Sequence, residues 1–176
     1  MTPAPSEVTI RPARPEDVPV VVGMVHELAE FERAPEQCHL TEPQLHAALF
    51  APQPALFGHV AVRASSPAAA GDEIIGYSLW FLNFSTWEGV HGIYLEDLYV
   101  SPAARGTGAG RLLLTTLART CVERGYQRLD WGVLHWNPAR DFYAALGAAA
   151  MDEWIPYRLT GAALHKLATR EPAERP

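Results

Sequence analysis

The sequence offers little for a disulfide framework or a thiol-bound metal. Its two cysteines, Cys38 and Cys121, lie far apart with no C-x-x-C spacing, which excludes the usual zinc-ribbon and redox motifs. Seven histidines show neither an HExxH pair nor another ligand spacing, so no metal is expected. No apolar run reaches the ~18 residues of a membrane helix, and no signal-peptide pattern opens the chain. Positive charge is also short: 14 Lys and Arg stand against 20 Asp and Glu, a formal net charge of −6. Nucleic-acid binders draw their affinity from Lys and Arg on phosphates, so nucleic acid is not the expected partner. An acidic surface suits a neutral or cationic small molecule better. No internal repeat recurs at a period of about 20–50 residues. These absences point to a cytoplasmic protein with no membrane span.

What is present is enough for one packed domain. The 176 residues are 48% hydrophobic and 19% charged, a globular rather than a disordered balance. Residues 1–6 and 170–176 are expected to be disordered, leaving one domain over 7–169; Ala64 to Gly71 (A-S-S-P-A-A-A-G) reads as a small-residue loop. Val8-Thr9-Ile10 reads as a strand, and Pro15-Glu16-Asp17 opens a helix carrying Val18, Val21, Val22, Val25, Leu28 and Ala29 on one face. A second helix runs from Thr41-Glu42-Pro43 to about Phe50. Strands follow at Leu56 to Val62, Ile74 to Asn83 and Val90 to Val100. A long helix from about Gly108 to Arg124 has the stripe Leu113, Leu114, Leu117, Ala118 and Cys121 and stops at Gly125. A strand at Leu129 to Leu134, a helix from Asn137-Pro138 to Gly147, a strand at Ala149 to Leu159 and a helix from Gly161 to Ala168 complete the pattern. The strand count before the long helix predicts an α/β domain with a mixed sheet, not a doubly wound parallel one.

Three stretches carry chemistry. In Arg105-Gly106-Thr107-Gly108-Ala109-Gly110-Arg111, alternate glycines leave room for backbone N–H groups to converge at the start of a helix, a site for a pyrophosphate. Arg105 and Arg111 add positive charge to it. A Walker loop is excluded because no Gly-Lys-Ser/Thr ends it. A G-x-G-x-x-G dinucleotide fingerprint fails at its third glycine, where Arg111 stands, although Asp130 lies about 20 residues on, as that reading needs. The R-x-x-G-x-G spacing of Arg105, Gly108 and Gly110 fits the coenzyme A loop of acetyltransferases. A plain glycine turn entering a helix is the remaining alternative. The strand before the loop, Ile93-Tyr94-Leu95-Glu96-Asp97-Leu98-Tyr99-Val100, holds two adjacent acids that period two sends to opposite faces unless a bulge intervenes. A carboxylate there could hold a substrate ammonium and pass its proton to water, and partial burial would raise its pKa toward the working pH; the alternative is a salt-bridged or edge acid. In His135-Trp136-Asn137-Pro138-Ala139-Arg140-Asp141-Phe142-Tyr143, Asn137 reads as an N-cap, Phe142 faces a core, and Tyr143 points about 100° away from it.

These blocks together resemble the GCN5-related N-acetyltransferase (GNAT) superfamily, and most closely its spermidine/spermine (diamine) acetyltransferase-like branch, which includes thialysine acetyltransferases. The likeness spans about Val8 to Ala168. It includes Ile10-Arg11-Pro12-Ala13, Glu27-Leu28-Ala29-Glu30-Phe31-Glu32, Tyr94 to Val100, the Arg105–Gly110 loop, Trp136-Asn137, Phe142-Tyr143, Met151 to Trp154 and Tyr157 to Thr160. It implies a single domain with a mixed, mostly antiparallel sheet flanked by helices, and acetyl-CoA as co-substrate. The backbone at Leu98, Tyr99 and Val100 would pair with the pantetheine arm. The amides of Gly106, Thr107, Gly108, Ala109, Gly110 and Arg111 would take the pyrophosphate. Glu96 would be the general base, acting through water, and Tyr143 the general acid at the thiolate. Asn137 would lie by the coenzyme, and Glu32, Asp97 and Trp87 by a cationic amine. The acetyl group would pass directly to a primary amine in a ternary complex with no metal. Relatives in this branch are usually homodimers, which places an interface at the last strand and C-terminal segment.

Two departures from the branch pattern stand out. Asn137 to Tyr143 is one residue shorter than usual. Ser85-Thr86 precedes Trp87 where polyamine-specific relatives carry an acid, so a short diamine, a lysine-like side chain or thialysine stands beside a long polyamine as acceptor. A coenzyme A-binding sensor without turnover would keep the glycine loop and lose Glu96 and Tyr143, both of which are present. A dinucleotide oxidoreductase is the third reading.

Overall fold

The computed structural model describes residues 8–64 and 72–169; the two soft ends and nearly all of the Ala64–Gly71 loop lie outside the described residues. The chain divides into two compact units, Met1–Leu134 and His135–Pro176. The first holds one five-stranded sheet in the order β1 (Val8–Pro12), β2 (Phe57–Arg63), β3 (Glu73–Ser85), β4 (Val90–Val100) and β5 (Leu129–Trp131). Every pairing is antiparallel except β4 with β5, which is parallel. The mixed, mostly antiparallel α/β sheet expected from the sequence is therefore present.

Helices α1 (Val18–Phe31) and α2 (Glu42–Phe50) cover one face of this sheet. Val18, Val21, Val22 and Met24 of α1 and Leu45 and Leu49 of α2 pack on Val60, Val62, Tyr77, Leu79 and Tyr99. Helix α3 (Ala109–Arg124) covers the other face, where Ala109 and Leu113 pack with Ala61 and Ile75. Its stripe is the expected one except for Ala118, which is exposed. The start of α1 is pinned by Asp17, whose carboxylate accepts two bonds from Arg11, at 2.6 and 2.9 Å, and one from the Arg14 N–H at 2.7 Å. Burial pushes the Asp17 pKa up, but Arg11 and the Arg14 N–H outweigh it and hold the carboxyl below its usual range. Gly125 ends α3 in the left-handed conformation (φ 71°), and the Tyr126 N–H closes back on the Cys121 carbonyl at 2.8 Å.

Two bulges set the register. Ala61 pairs with Gly76 and Val62 with Ile74, so Ile75 is an extra residue in β3. Leu79 pairs with Asp97 and Trp80 with Leu95, so Glu96 is an extra residue in β4. Between them, Gly76 lets β3 and β4 close: a Cβ there would stand 2.6 Å from the Tyr99 carbonyl oxygen and 3.3 Å from the Val100 Cα. Backbone cannot move aside without parting the strands. Gly76→Ala is expected to cost about 2 kcal/mol by overpacking, read as a lower urea midpoint at unchanged slope.

The second unit holds α4 (Ala139–Ala145) and α5 (Gly161–Ala168). Three sequence expectations change at this end of the chain. The strand after α3 stops at Trp131 rather than Leu134: its pairing with β4 ends at Leu95, where the Glu96 bulge interrupts the edge. Helix α4 starts at Ala139, one residue later than expected, although Asn137 Oδ1 still accepts the Ala139 N–H at 2.9 Å. No strand forms over 149–159. Its apolar-aromatic stretch, Trp154 to Leu159, suits a sheet, but a strand needs a neighbour for its N–H and C=O groups, and Pro156 removes one donor. Among the described residues no helix is long and apolar enough to cross a membrane.

Candidate active site

The Glu96 bulge resolves the problem of two adjacent acids. By alternation from Leu95, which is paired with Trp80, Glu96 lies on the face opposite to Trp80. Asp97, paired with Leu79, lies on that same face. The extra residue thus turns both carboxylates to the α1 side of the sheet. Glu32, the residue that closes α1, joins them, since Arg33 turns the chain with a φ of 63° directly after it. Glu96 is exposed, while Asp97 and Glu32 are half-buried. Burial pushes the Asp97 carboxyl up to about 6, and the charges of Glu96 and Glu32 add to the rise. Burial also raises Glu32. The cluster thus gathers three carboxylates at one place, suited to a group that brings its own positive charge.

A hydroxyl that sequence inspection does not single out faces this cluster. Tyr77 on β3 is fully buried, and its hydroxyl completes no well-formed hydrogen bond; it approaches Asp97 and favours the charged carboxylate. Next to it, the Tyr99 hydroxyl donates to Glu27 Oε2 of α1 at 2.7 Å. The Arg105 guanidinium lies over the Phe31 ring, 5.3 Å from its centroid. These contacts tie the last two turns of α1 to β4 and to the loop that follows it, and so fix Glu32 against the strand acids.

The same strand leaves an edge open. Among the described residues β5 pairs only with Ile93 to Leu95, so β4 runs from Glu96 to Val100 with no strand beside it on that side. Its N–H and C=O groups there, at Leu98, Tyr99 and Val100 among others, can take an extended ligand as an added strand takes its neighbour. The edge leads into a short helical turn, Pro102–Ala104, then into the glycine loop. Gly106 and Gly108 have φ of 82° and 88°, values that only glycine adopts without strain. The Thr107 hydroxyl donates to the Ala104 carbonyl at 2.7 Å and steadies the turn. The opening N–H groups of α3, at Ala109 to Arg111, have no carbonyl one turn back, and a 16-residue helix stands behind them. The loop is built to receive an anion. Arg111 is exposed at its rim, whereas Arg105 is turned back toward Phe31 and the Val100 carbonyl.

Of the residues expected at the site, Glu32, Glu96, Asp97, the β4 edge and the glycine loop all belong to the first unit and are brought together there. Trp87 is not beside the acids. It sits past the Ser85–Val90 pair at the hairpin tip, about 20 Å along β4 from Asp97 at ~3.3 Å per residue. Asn137 and Tyr143 belong to the second unit. Tyr143 is half-buried on α4, with its ring 5.4 Å from that of Phe142. Among the described residues no group of three or more His, Cys, Asp or Glu is placed to hold a metal ion.

Comparison with known proteins agrees with this geometry. The model of the acetyltransferase (GNAT) family matches residues 23–148. A thialysine N-epsilon-acetyltransferase from Bos taurus is 37% identical over 92% of this chain and 97% of that protein. L-ornithine N5-acetyltransferase NATA1 from Arabidopsis thaliana is 31% identical over 90% of this chain and 86% of that protein. Among solved structures, the integron cassette protein VCH_CASS6 from the mobile metagenome of V. cholerae superposes with a TM-score of 0.74 at 28% identity, covering 93% of this chain and 98% of that one. With its sheet, its bulged acid strand and its glycine loop, the chain belongs to the GNAT family of N-acetyltransferases, in the spermidine/spermine acetyltransferase-like branch that includes the thialysine enzymes.

Proposed function

We propose that the enzyme transfers the acetyl group of acetyl-CoA to a primary amine of a small cationic molecule, such as a diamine, a polyamine or a lysine-like side chain such as thialysine. The transfer is direct, within a ternary complex. The observation that carries this reading is the bulge at Glu96, which sets Glu96 and Asp97 on one face next to the unpaired β4 edge and the anion-binding loop. Acetyl-CoA supplies the activated thioester. The amides of Gly106 to Arg111 bind its diphosphate, and Leu98 to Val100 pair with its pantetheine arm. Asn137 lies by the coenzyme.

The amine arrives as an ammonium, and Asp97 and Glu32 hold it by charge. Glu96, at the exposed end of the bulge, takes its proton through water, leaving a neutral amine to attack. A strand N–H freed at the bulge faces the oxyanion. Tyr143 gives its proton to the departing thiolate. Trp87 meets only the far end of an extended acceptor. The relatives named for thialysine and ornithine support a lysine-like acceptor, and Ser85-Thr86 in place of an acid before Trp87 supports a short one. The two free thiols, Cys38 and Cys121, suit a reducing cytoplasm. The exposed Met151, Trp154, Ile155 and Tyr157 support a homodimer built through the C-terminal segment.

Tyr143→Phe tests the acid role. Its kcat is expected to fall about 30-fold, less than the usual ~10²–10⁴ because a thiol of pKa ~8.5 already leaves well. Stopped-flow measurement of thiol release reads the effect, and an unchanged kcat would remove Tyr143 from the mechanism.

A further inference from the structure

Tyr77 is 0% exposed, packed among Val60, Leu79 and Tyr99 beneath α1, and its hydroxyl completes no well-formed hydrogen bond. Phenylalanine would fill the same space without burying a donor, a group that is costly to leave unsatisfied. The strand register shows where the hydroxyl can reach. Tyr77 pairs with Tyr99, their ring centroids 6.2 Å apart, and Leu79 pairs with Asp97. Asp97 and Tyr99 are two residues apart on β4 with no bulge between them, so Tyr77 and Asp97 are diagonal neighbours on one face. That diagonal of about 7–8 Å is within reach of an aromatic side chain. We propose that Tyr77 is a positioning residue for the transfer: its buried hydroxyl donates to the Asp97 carboxylate and holds that carboxylate, ionised, toward the incoming amine.

The surroundings leave this task to Tyr77. Among the described residues, the groups that act on Asp97 are Glu96 on its own strand, Glu32 at the end of α1 and Tyr77 on β3, and of these Tyr77 is the one that favours the charged form. Cys38, Tyr99 and Glu32 also act on the phenol, and none of them brings a positive charge to it. A phenol has one proton to give, and it remains a donor throughout the working range because burial raises its own pKa. Its bond also spends one lone pair of the carboxylate, leaving the second oxygen to face the ammonium.

The inference rests on the acetyl-transfer reading, and two readouts separate them. The first is the titration of the Asp97 carboxyl by carbon-13 NMR in the whole protein, with no substrate added. Removing a donor from the ionised form must raise its midpoint, and Tyr77→Phe is expected to move it up by about one pH unit. The second is kinetic. In Tyr77→Phe the acid limb of kcat/KM for the amine moves up by the same amount, so kcat/KM falls about twofold at pH 7 and about tenfold at pH 5, and the loss lies mainly in the amine KM. In an Asp97→Asn background the same substitution has no further effect. Thermal stability of Tyr77→Phe stays level or rises at pH 4, where Asp97 carries its proton with or without the phenol, which separates positioning from folding. An unmoved midpoint overturns the inference, as does a loss of activity that adds in full to that of Asp97→Asn. A wild-type protein that acetylates no amine overturns the acetyl-transfer reading instead, and the titration then still decides the pairing.

Discussion

Replacing Asp97 by asparagine is expected to stabilise the fold above pH 7 while removing most of the activity toward amines. The two effects share one cause. Asp97 sits half-buried facing Glu96 and Glu32, and burial with those charges lifts its carboxyl from the usual 3.8 to about 6. A carboxyl with a higher pKa in the folded chain binds its proton more tightly there than in the unfolded chain. Stability therefore falls as pH rises from about 4 to about 6, and above that the full cost of the buried charge is present. Asparagine fills the same volume without the charge, so the variant should gain about 2 kcal/mol at pH 7–8 and nothing at pH 4. The same charge is what an ammonium seeks, and its loss is expected to lower kcat/KM about 10²-fold, mostly through the amine KM. In the wild type the amine KM should rise as pH falls through about 6, where Asp97 takes up its proton. Urea unfolding at two pH values and steady-state kinetics on one preparation check both halves. A variant that is both less stable and equally active would refute the placement of Asp97.

The second large effect is expected at the glycine loop. Gly108 has a φ of 88° and nothing within 4 Å of an added Cβ. A Cβ there meets no neighbour, so the main cost of Gly108→Val to the fold should be the left-handed backbone strain, about 1–2 kcal/mol. The valine methyls, however, stand over the N–H groups that open α3, where the diphosphate of the donor must approach. The Kd for acetyl-CoA is expected to rise about 10²-fold, as several charge-assisted bonds are lost together. The amine KM at saturating donor should hardly change. Calorimetric titration with acetyl-CoA reads the first quantity, and a Kd within threefold of wild type would show that the donor does not bind at this loop.

The glycine loop was legible in the sequence because its requirement is local. Alternate glycines ahead of a long amphipathic helix can be read without knowing what else is near, and their positive φ values follow from residue type. The acid pair was only half legible. Strict alternation separates Glu96 from Asp97, and what unites them is a mismatch of one residue between β3 and β4, set by pairing across the sheet rather than by either strand's own residues. Tyr77 was hidden for the same reason: nothing in Gly76-Tyr77-Ser78 marks it until the register puts it on a diagonal with Asp97. The segment 149–159 misled in the opposite direction, since its apolar and aromatic residues describe a strand for which the described residues provide no partner. Tyr143 and Asn137 were singled out through family resemblance, because a tyrosine on a short helix carries no chemical mark of its own.

The most direct test of the account is thiol release from acetyl-CoA with wild-type enzyme, measured with and without each of a panel of amines: putrescine, spermidine, spermine, lysine, thialysine, ornithine and a small aminoglycoside. The account predicts release that depends on the amine, is fastest with a short or lysine-like acceptor, and matches mole for mole a product heavier by one acetyl group. Tight binding of acetyl-CoA with no amine-dependent thiol release across the panel would contradict it.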